Sequence, residues 1–190
     1  MPTSQELTVY TLGHGSRSWE SFLDILHVNG IGCVVDVRSA PGSHRHPQFS
    51  RAIMETELRR ADINYDWQGA VLGGFRKSNA TSPHTALDTQ GLRAYADHME
   101  TAAFHAGIEQ LLVHARRVPT AMLCAETLAQ SCHRYLISDY LTHLGIGVVH
   151  IITQENRVPH RMSVKVRDDA GRLIYDLVPA SYRQLGLNIS

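Results

Sequence analysis

Blocks of apolar and polar positions alternate along this chain, and their period switches repeatedly between strand-like and helix-like. Leu7 to Leu12 is a short apolar run stopped by Gly13-His14-Gly15, the pattern of a strand ending in a turn. Helical spacing follows, with Ser18 as N-cap, Phe22, Leu23 and Leu26 on one face, and Gly30 near the end. Ile31-Gly32-Cys33-Val34-Val35-Asp36-Val37 is nearly continuous in apolar residues, as strands buried on both faces are. Its polar exit, Asp36-Val37-Arg38-Ser39, leads into a Pro/Gly/His loop from Ala40 to Phe49. Ser50 is placed to cap a second helix to about Ala61, carrying Ile53, Met54 and Leu58 inward. Ile63 to Trp67 reads as a short strand and Leu72-Gly73-Gly74 as a tight turn. Residues 76–90 are polar, carry Pro83 and His84, and read as a surface loop.

The pattern turns helical again from Leu92 to about Arg117, with a break expected near Met99 to Thr101. Thr120 to Cys124 is a strand. Ser131 is placed to cap a helix that turns Leu136, Ile137, Tyr140, Leu141 and Leu144 inward and stops at Gly145. Ile146 to Ile152 is another buried strand. Met162 to Arg167 and Arg172 to Val178, joined by Asp168-Asp169-Ala170-Gly171, form a hairpin signal. Strands alternating with helices predict an α/β fold, a mainly parallel sheet flanked by helices in Rossmann-like layers, with a C-terminal β-hairpin. No repeat or linker interrupts it. The reading is one domain over 1–190, with a core of about 7–153 and a hairpin extension of about 154–190.

Composition narrows the function classes. Hydrophobic residues at 43% and charged residues at 19% exclude a disordered chain. No apolar run approaches the length of a bilayer span, and MPTSQELTVYTLGHG lacks a signal peptide's charged start and apolar core. A cytoplasmic protein without a membrane partner is expected. Eighteen Lys+Arg balance eighteen Asp+Glu, which argues against a broad basic face for nucleic acid and leaves room for a local patch. Three cysteines cannot build a disulfide framework. Twelve histidines invite a metal or pH-switch interpretation, so their placement matters.

Ligands of parallel α/β sheets bind beyond the carboxyl ends of the strands. Three predicted strands end there in chemically useful residues: His14, then Asp36 and Arg38, then Cys124 and Glu126. Ser131-Cys132-His133-Arg134 opens a helix, whose N-terminal N–H groups suit an anion and whose field lowers the pKa of a thiol. Arg134 in that first turn is unfavourable to the helix unless a bound anion or the Glu126 side chain offsets it. Plainer readings stand beside these. Cys33 is a small core side chain, Cys124 is equally suited to be a buried structural thiol, and Asp36 and Arg38 can pair with each other or with Arg134 and Glu126. His27, His105, His114 and His143 look solvated, as does His84.

Spacing excludes several mechanisms. A rhodanese or cysteine phosphatase loop closes with an arginine, but the corresponding positions after Cys124 and Cys132 hold Gln130 and Ser138. No P-loop, zincin or nucleophile-elbow motif is present. A metal site from His14, Cys124, Glu126, Cys132 and His133 is chemically allowable. Its only sequence-close ligand pairs are Cys124/Glu126 and Cys132/His133, so no cofactor is expected.

Together these stretches resemble the DUF488 family. The resemblance rests on Thr11-Leu12-Gly13-His14, Asp36-Val37-Arg38 with Pro41, Pro47-Gln48-Phe49, Leu72-Gly73-Gly74 and Tyr95-Ala96-Asp97-His98-Met99. It continues through Leu123-Cys124-Ala125-Glu126, Cys132-His133-Arg134, His150-Ile151, Pro159-His160 and the tail Gln184-Leu185-Gly186-Leu187. The chain departs from the family's usual Gly-His-Ser at Gly13-His14-Gly15, and Gln154-Glu155-Asn156 replaces the usual Asp-Gly. The resemblance implies an α/β fold and supplies no established reaction.

The expected function is an enzyme, a hydrolase or transferase, acting on a phosphate-bearing ligand such as a nucleotide or nucleic-acid end. His14, Cys124, Glu126, Cys132 and His133 are the catalytic candidates; Asp36, Arg38, Arg45, Tyr95, His98 and Arg134 are the ligand-binding candidates. The alternatives are a non-catalytic nucleotide- or nucleic-acid-binding module, using Trp19, Tyr65, Trp67 and Phe75 as stacking surfaces, and a Cys/His metal-binding protein. The sequence leaves the oligomeric state open.

Overall fold

A computed structural model of the chain describes residues 7–42 and 45–178. His44 and the Gln184–Leu187 tail lie outside the described residues. The elements in chain order are β1 (Thr8–Gly13), α1 (Trp19–Val28), β2 (Cys33–Asp36), α2 (Arg51–Arg60), β3 (Asn64–Trp67), α3 (Gly69–Leu72) and α4 (Gln90–His98). They continue with α5 (Ala102–Ala115), β4 (Thr120–Cys124), α6 (Arg134–His143), β5 (Gly147–Ile151), β6 (Arg157–Pro159), β7 (Val166–Asp169) and β8 (Arg172–Tyr175). The six-stranded sheet has the order β3-β2-β4-β1-β5-β6. Its first five strands are parallel and β6 runs antiparallel to β5. The α/β fold with a mainly parallel sheet and a C-terminal hairpin is therefore the one the hydrophobic pattern predicts.

Both faces of the sheet are buried, which explains the near-continuous apolar runs. On one face Leu12, Val34, Ala121 and Leu123 pack against Phe22, Ile25 and Leu26 of α1 and Met54 and Leu58 of α2. On the other, Val9, Cys33, Val35, Met122 and Cys124 pack against residues of α4, α5 and α6, joined by Leu173 and Tyr175 of β8. Each fully buried Phe or Leu contributes about 1.5–3 kcal/mol relative to exposure. Ser18 caps α1 as the sequence indicates, its Oγ accepting from Ser21 N at 3.2 Å. The α4–α5 break also falls where expected, and Thr101 Oγ1 accepts from Phe104 N to restart the helix. In the β7–β8 turn, Ala170 and Gly171 both have positive φ (53° and 88°), and Asp168 Oδ1 accepts from Gly171 N. These are the requirements of a tight two-residue hairpin loop.

Several local expectations fail. α6 begins at Arg134; Ser131 lies in a preceding 3-10 turn, and His133 occupies the N-cap position without a side-chain capping bond. Ser50 likewise sits at the N-cap of α2 without a capping bond. Ile53 and Leu144 are exposed; Leu144 lies past the last residue of α6, as its C-cap. His84 is fully buried rather than solvated: its loop folds back on the hairpin, and its Nδ1 accepts from Tyr175 N at 3.3 Å. β6 lacks any hydrophobic run and pairs through its backbone alone, so nothing in the pattern announces it.

Candidate functional site

Because β2, β4 and β1 are adjacent and parallel, their carboxyl ends bring Asp36, Arg38, Cys124, Glu126 and His14 to one end of the sheet. The segment after β4 then folds back. Cys132 is extended (φ −134°, ψ 146°) while His133 is helical (φ −56°, ψ −24°), and this change turns two consecutive side chains towards the same place. Cys132 Sγ lies 3.6 Å and Cys124 Sγ 4.0 Å from His133 Nδ1. Cys124 Sγ donates to Glu126 Oε2 at 2.9 Å.

The His133 ring is set from behind. Its Nε2 lies 3.0 Å from the carbonyl oxygen of Val37, just past β2. A carbonyl only accepts, so Nε2 carries the proton and the Nδ1 lone pair faces the sulfurs. Tyr95 packs edge-on against this ring at 4.9 Å. Gly74 closes the other side: a Cβ there would stand 2.7 Å from Nδ1. Gly13 is equally constrained, since its Cβ would lie against the carbonyl of Glu126, within covalent range. These contacts are the reason glycine stands at both positions.

Electrostatics differ from residue to residue. The neighbouring Cys132 thiol and then burial push the Cys124 thiol well above its ordinary range, against a weaker opposite pull from His133. Burial works to raise Glu126, but hydrogen bonds from Cys124, its own N–H and Cys132 outweigh that and hold the carboxyl below its usual range. Burial lowers His14 to about 4, partly opposed by the bond from its Nδ1 to Gly15 O at 2.9 Å. That bond leaves Nε2 as the basic nitrogen of a neutral ring stacked on Phe49 at 4.4 Å.

The arginines are largely committed within the fold. Arg38 grips Asp36 with Nε to Oδ1 at 2.8 Å and Nη2 to Oδ2 at 2.5 Å. Tyr65 donates to the same carboxylate at 2.7 Å. Burial opposes the Arg38 charge, but the bonds and charge of Asp36 more than compensate and raise its pKa. Arg134 is buried, and its Nη1 and Nη2 donate to the carbonyl oxygens of Glu126 and Thr127 at 2.6 and 2.9 Å. It thus braces the Glu126 loop through backbone carbonyls instead of pairing with the Glu126 carboxylate. Its Nε has no protein partner. Tyr95 donates to Leu72 O at 2.9 Å and His98 Nε2 to Val71 O at 2.6 Å, so both hold the turn that carries Gly74. Arg45 is exposed on the loop leading to Phe49.

The structure therefore brings together Cys124, Glu126, Cys132 and His133 most closely, with His14 and the Asp36–Arg38 pair at the same sheet end. Tyr95, His98 and Arg134 stand behind them as supports. Sequence reasoning missed the Val37 carbonyl, Gly74 and the pairing role of Tyr65. Only Gly74 left a signal, as a glycine beyond the needs of one turn. Cys33 is buried as read, at the first residue of β2 rather than mid-strand, and burial raises its thiol to about 11.

A second polar cluster lies under α6 on the same face of the sheet. Thr11 Oγ1 is 2.7 Å from His150 Nδ1, His150 Nε2 is 2.9 Å from His160 Nδ1, and His160 Nε2 is 2.9 Å from Asp139 Oδ1. Asp139 also accepts from Tyr175 Oη at 3.0 Å and Ser163 N at 2.9 Å. Burial lowers His150 to about 4. The sequence marked His150 and His160 as motif residues without foreseeing that they touch.

Among the described residues no helix is long and apolar enough to cross a membrane. No curated protein and no solved structure matches the chain. The family described as "Domain of unknown function DUF488" matches residues 18–141, a span that holds Asp36, Arg38, Cys124, Glu126, Cys132 and His133 but stops short of His150 and His160. With most of its length inside that match, the chain belongs to the DUF488 family.

Proposed function

We propose that this chain is an enzyme, a hydrolase or transferase, acting on a phosphate-bearing ligand at the carboxyl ends of β1, β2 and β4. The observation that carries the enzymatic part is the fixed His133 tautomer, which turns a lone pair towards two buried thiols beside a carboxylate. Thiol, imidazole and carboxylate groups converging in one protected place serve proton transfer or metal-assisted chemistry far better than they serve packing. His14, neutral with an available Nε2, is a second base at the same sheet end. The anionic ligand is supported by the cations of that end: Arg38, the exposed Arg45, and Arg51, whose guanidinium lies 4.4 Å over the Trp67 ring. In this reading Asp36 and Tyr65 orient Arg38, Tyr95 and His98 hold the Gly74 turn, and Arg134 fixes the loop of Glu126.

The test is turnover of a panel of nucleotides, phosphomonoesters and nucleic-acid ends by the purified full chain. Activity on one class, reduced at least about a hundredfold in Glu126→Gln and in His14→Ala, supports the reading. Binding that weakens steeply with salt, without turnover of any of them, replaces it with a non-catalytic binding module.

A further inference from the structure

Two thiols and one imidazole nitrogen converge in this buried cluster: Cys132 Sγ and Cys124 Sγ lie 3.6 and 4.0 Å from His133 Nδ1. Sulfur is large, so the shorter contact suits a thiol hydrogen bond, and both suit the edges of a metal site. A tetrahedral zinc site with Zn–S of about 2.3 Å and Zn–N of about 2.0 Å sets sulfur and nitrogen about 3.5 Å apart, and two sulfurs about 3.8 Å apart. The donor atoms of Cys124, Cys132 and His133 all lie within 4.8 Å of one another, near enough for one ion to draw them together.

The support around the imidazole fits as well. Ligating histidines usually donate their second N–H to a carbonyl or carboxylate, which fixes the ring and makes the ligating nitrogen more basic. His133 does so to Val37 O. Glu126 is too close to Cys124 to share a metal with it in this arrangement, because an oxygen and a sulfur on one zinc stand about 3.5 Å apart. It lies beside the metal position rather than on it. Two thiolates and one imidazole form a borderline-soft donor set that favours zinc over magnesium or calcium.

We infer that Cys124, Cys132 and His133 form a three-ligand site for a zinc-class divalent cation, with its fourth position left to water or substrate and Glu126 alongside as a non-ligand carboxylate. Binding releases the two thiol protons to solvent and involves no change of oxidation state. The catalytic use of the open position rests on the enzymatic reading above; the binding of metal does not.

The experiment is titration of the reduced, metal-free full chain with cobalt(II) and then zinc(II), followed by X-ray absorption spectroscopy of the zinc-loaded wild type. One equivalent of cobalt should give the intense visible bands of a tetrahedral ion and near-ultraviolet thiolate charge transfer, and zinc should displace it. The extended fine structure should report two sulfurs at about 2.3 Å and one imidazole nitrogen at about 2.0 Å. Cys124→Ser and Cys132→Ser should each weaken binding at least about tenfold, while Glu126→Gln keeps the full equivalent and its tetrahedral spectrum. Less than one equivalent bound by the wild type, a shell of nitrogen and oxygen only, or undiminished binding in both cysteine variants overturns the site. Zinc bound as described without turnover of any substrate supports the metal site and removes the enzymatic reading; turnover by the metal-free chain, with no zinc taken up, does the reverse.

Discussion

Two polar clusters sit on the same face of the sheet, and they are built on opposite terms. In the chain from Thr11 through His150 and His160 to Asp139, each donor meets an acceptor at 2.7–2.9 Å, and Tyr175 and Ser163 complete the carboxylate. A single consistent set of protons satisfies it: Thr11 to His150, His150 to His160, His160 to Asp139. Around His133, by contrast, two sulfurs face the single lone pair of Nδ1 at 3.6 and 4.0 Å, and one lone pair cannot satisfy both. The first network closes on itself and joins β1, β5, α6 and the hairpin. The second has lone pairs left over. A histidine count cannot separate these cases; the separation lies in whether the hydrogen bonds close.

The comparison breaks most visibly at Asp139. Asp139→Ala strips His160, Tyr175 and Ser163 of a shared buried acceptor and should destabilise the chain by about 3–5 kcal/mol in urea unfolding. Metal uptake per folded molecule should stay at wild-type level. A loss under about 1 kcal/mol would place this network among ornaments rather than supports.

Next in size is zinc itself. At a free concentration a hundred times its dissociation constant it should stabilise the wild type by about 2.7 kcal/mol, read as a rise in Tm. In Cys132→Ser that rise should vanish, while the metal-free variant stays within about 1 kcal/mol of the metal-free wild type, because a thiol is a weak donor. The closed network predicts the reverse pattern, a large loss with or without metal.

Acid sharpens the contrast further. His150 is held at about 4 by burial against an ordinary 6.5, so on acidification the unfolded chain takes up its proton first. The stability His150 contributes is therefore complete above pH 6.5 and is lost as pH falls towards 4. The loss should reach about 1–3 kcal/mol. Comparing urea midpoints for wild type and His150→Gln across that range isolates the histidine from carboxylates that titrate nearby; parallel profiles would sink the assignment.

The smallest effect tests geometry alone. A Cβ at Gly74 stands 2.7 Å from His133 Nδ1, so Gly74→Ala should tilt the ring and weaken metal binding about tenfold. Stability should change by less than about 1 kcal/mol, because the ring moves and the backbone stays.

Much of the fold was legible because parallel strands buried on both faces leave long apolar runs and the helices leave periodic ones. Thr120–Cys124 falls on the strand the pattern marks, and the α4–α5 break on the residues it marks. β6 was illegible because backbone pairing leaves no side-chain pattern, and His84 because a polar loop folded over the hairpin looks like any other loop. For the site, Cys124, Glu126, Cys132 and His133 were visible as residues at a strand exit and a helix start. Their mutual geometry was not, since it depends on a carbonyl at Val37 and a bend between Cys132 and His133 that no side chain encodes. Arg134 shows the limit of reasoning from residue type. A cation at a helix start looked like an anion ligand, and it is a brace whose partners are two backbone oxygens.

The position of β1 has a consequence for how the molecule comes into being. The first strand of the chain lies between β4 and β5, with Val9 beside both Thr120 and Val148. During synthesis at about 5–20 residues per second, β1 waits on the order of ten seconds for either neighbour. β2 and β3 pair early, while β1 stays open on both sides until β4 enters between it and β2. That late insertion is also what delivers Cys124 and, shortly after, brings His133 onto the Val37 carbonyl. The imidazole tautomer is thus set only once β4 has joined β1 to β2, which makes the His133 cluster a local record of that step.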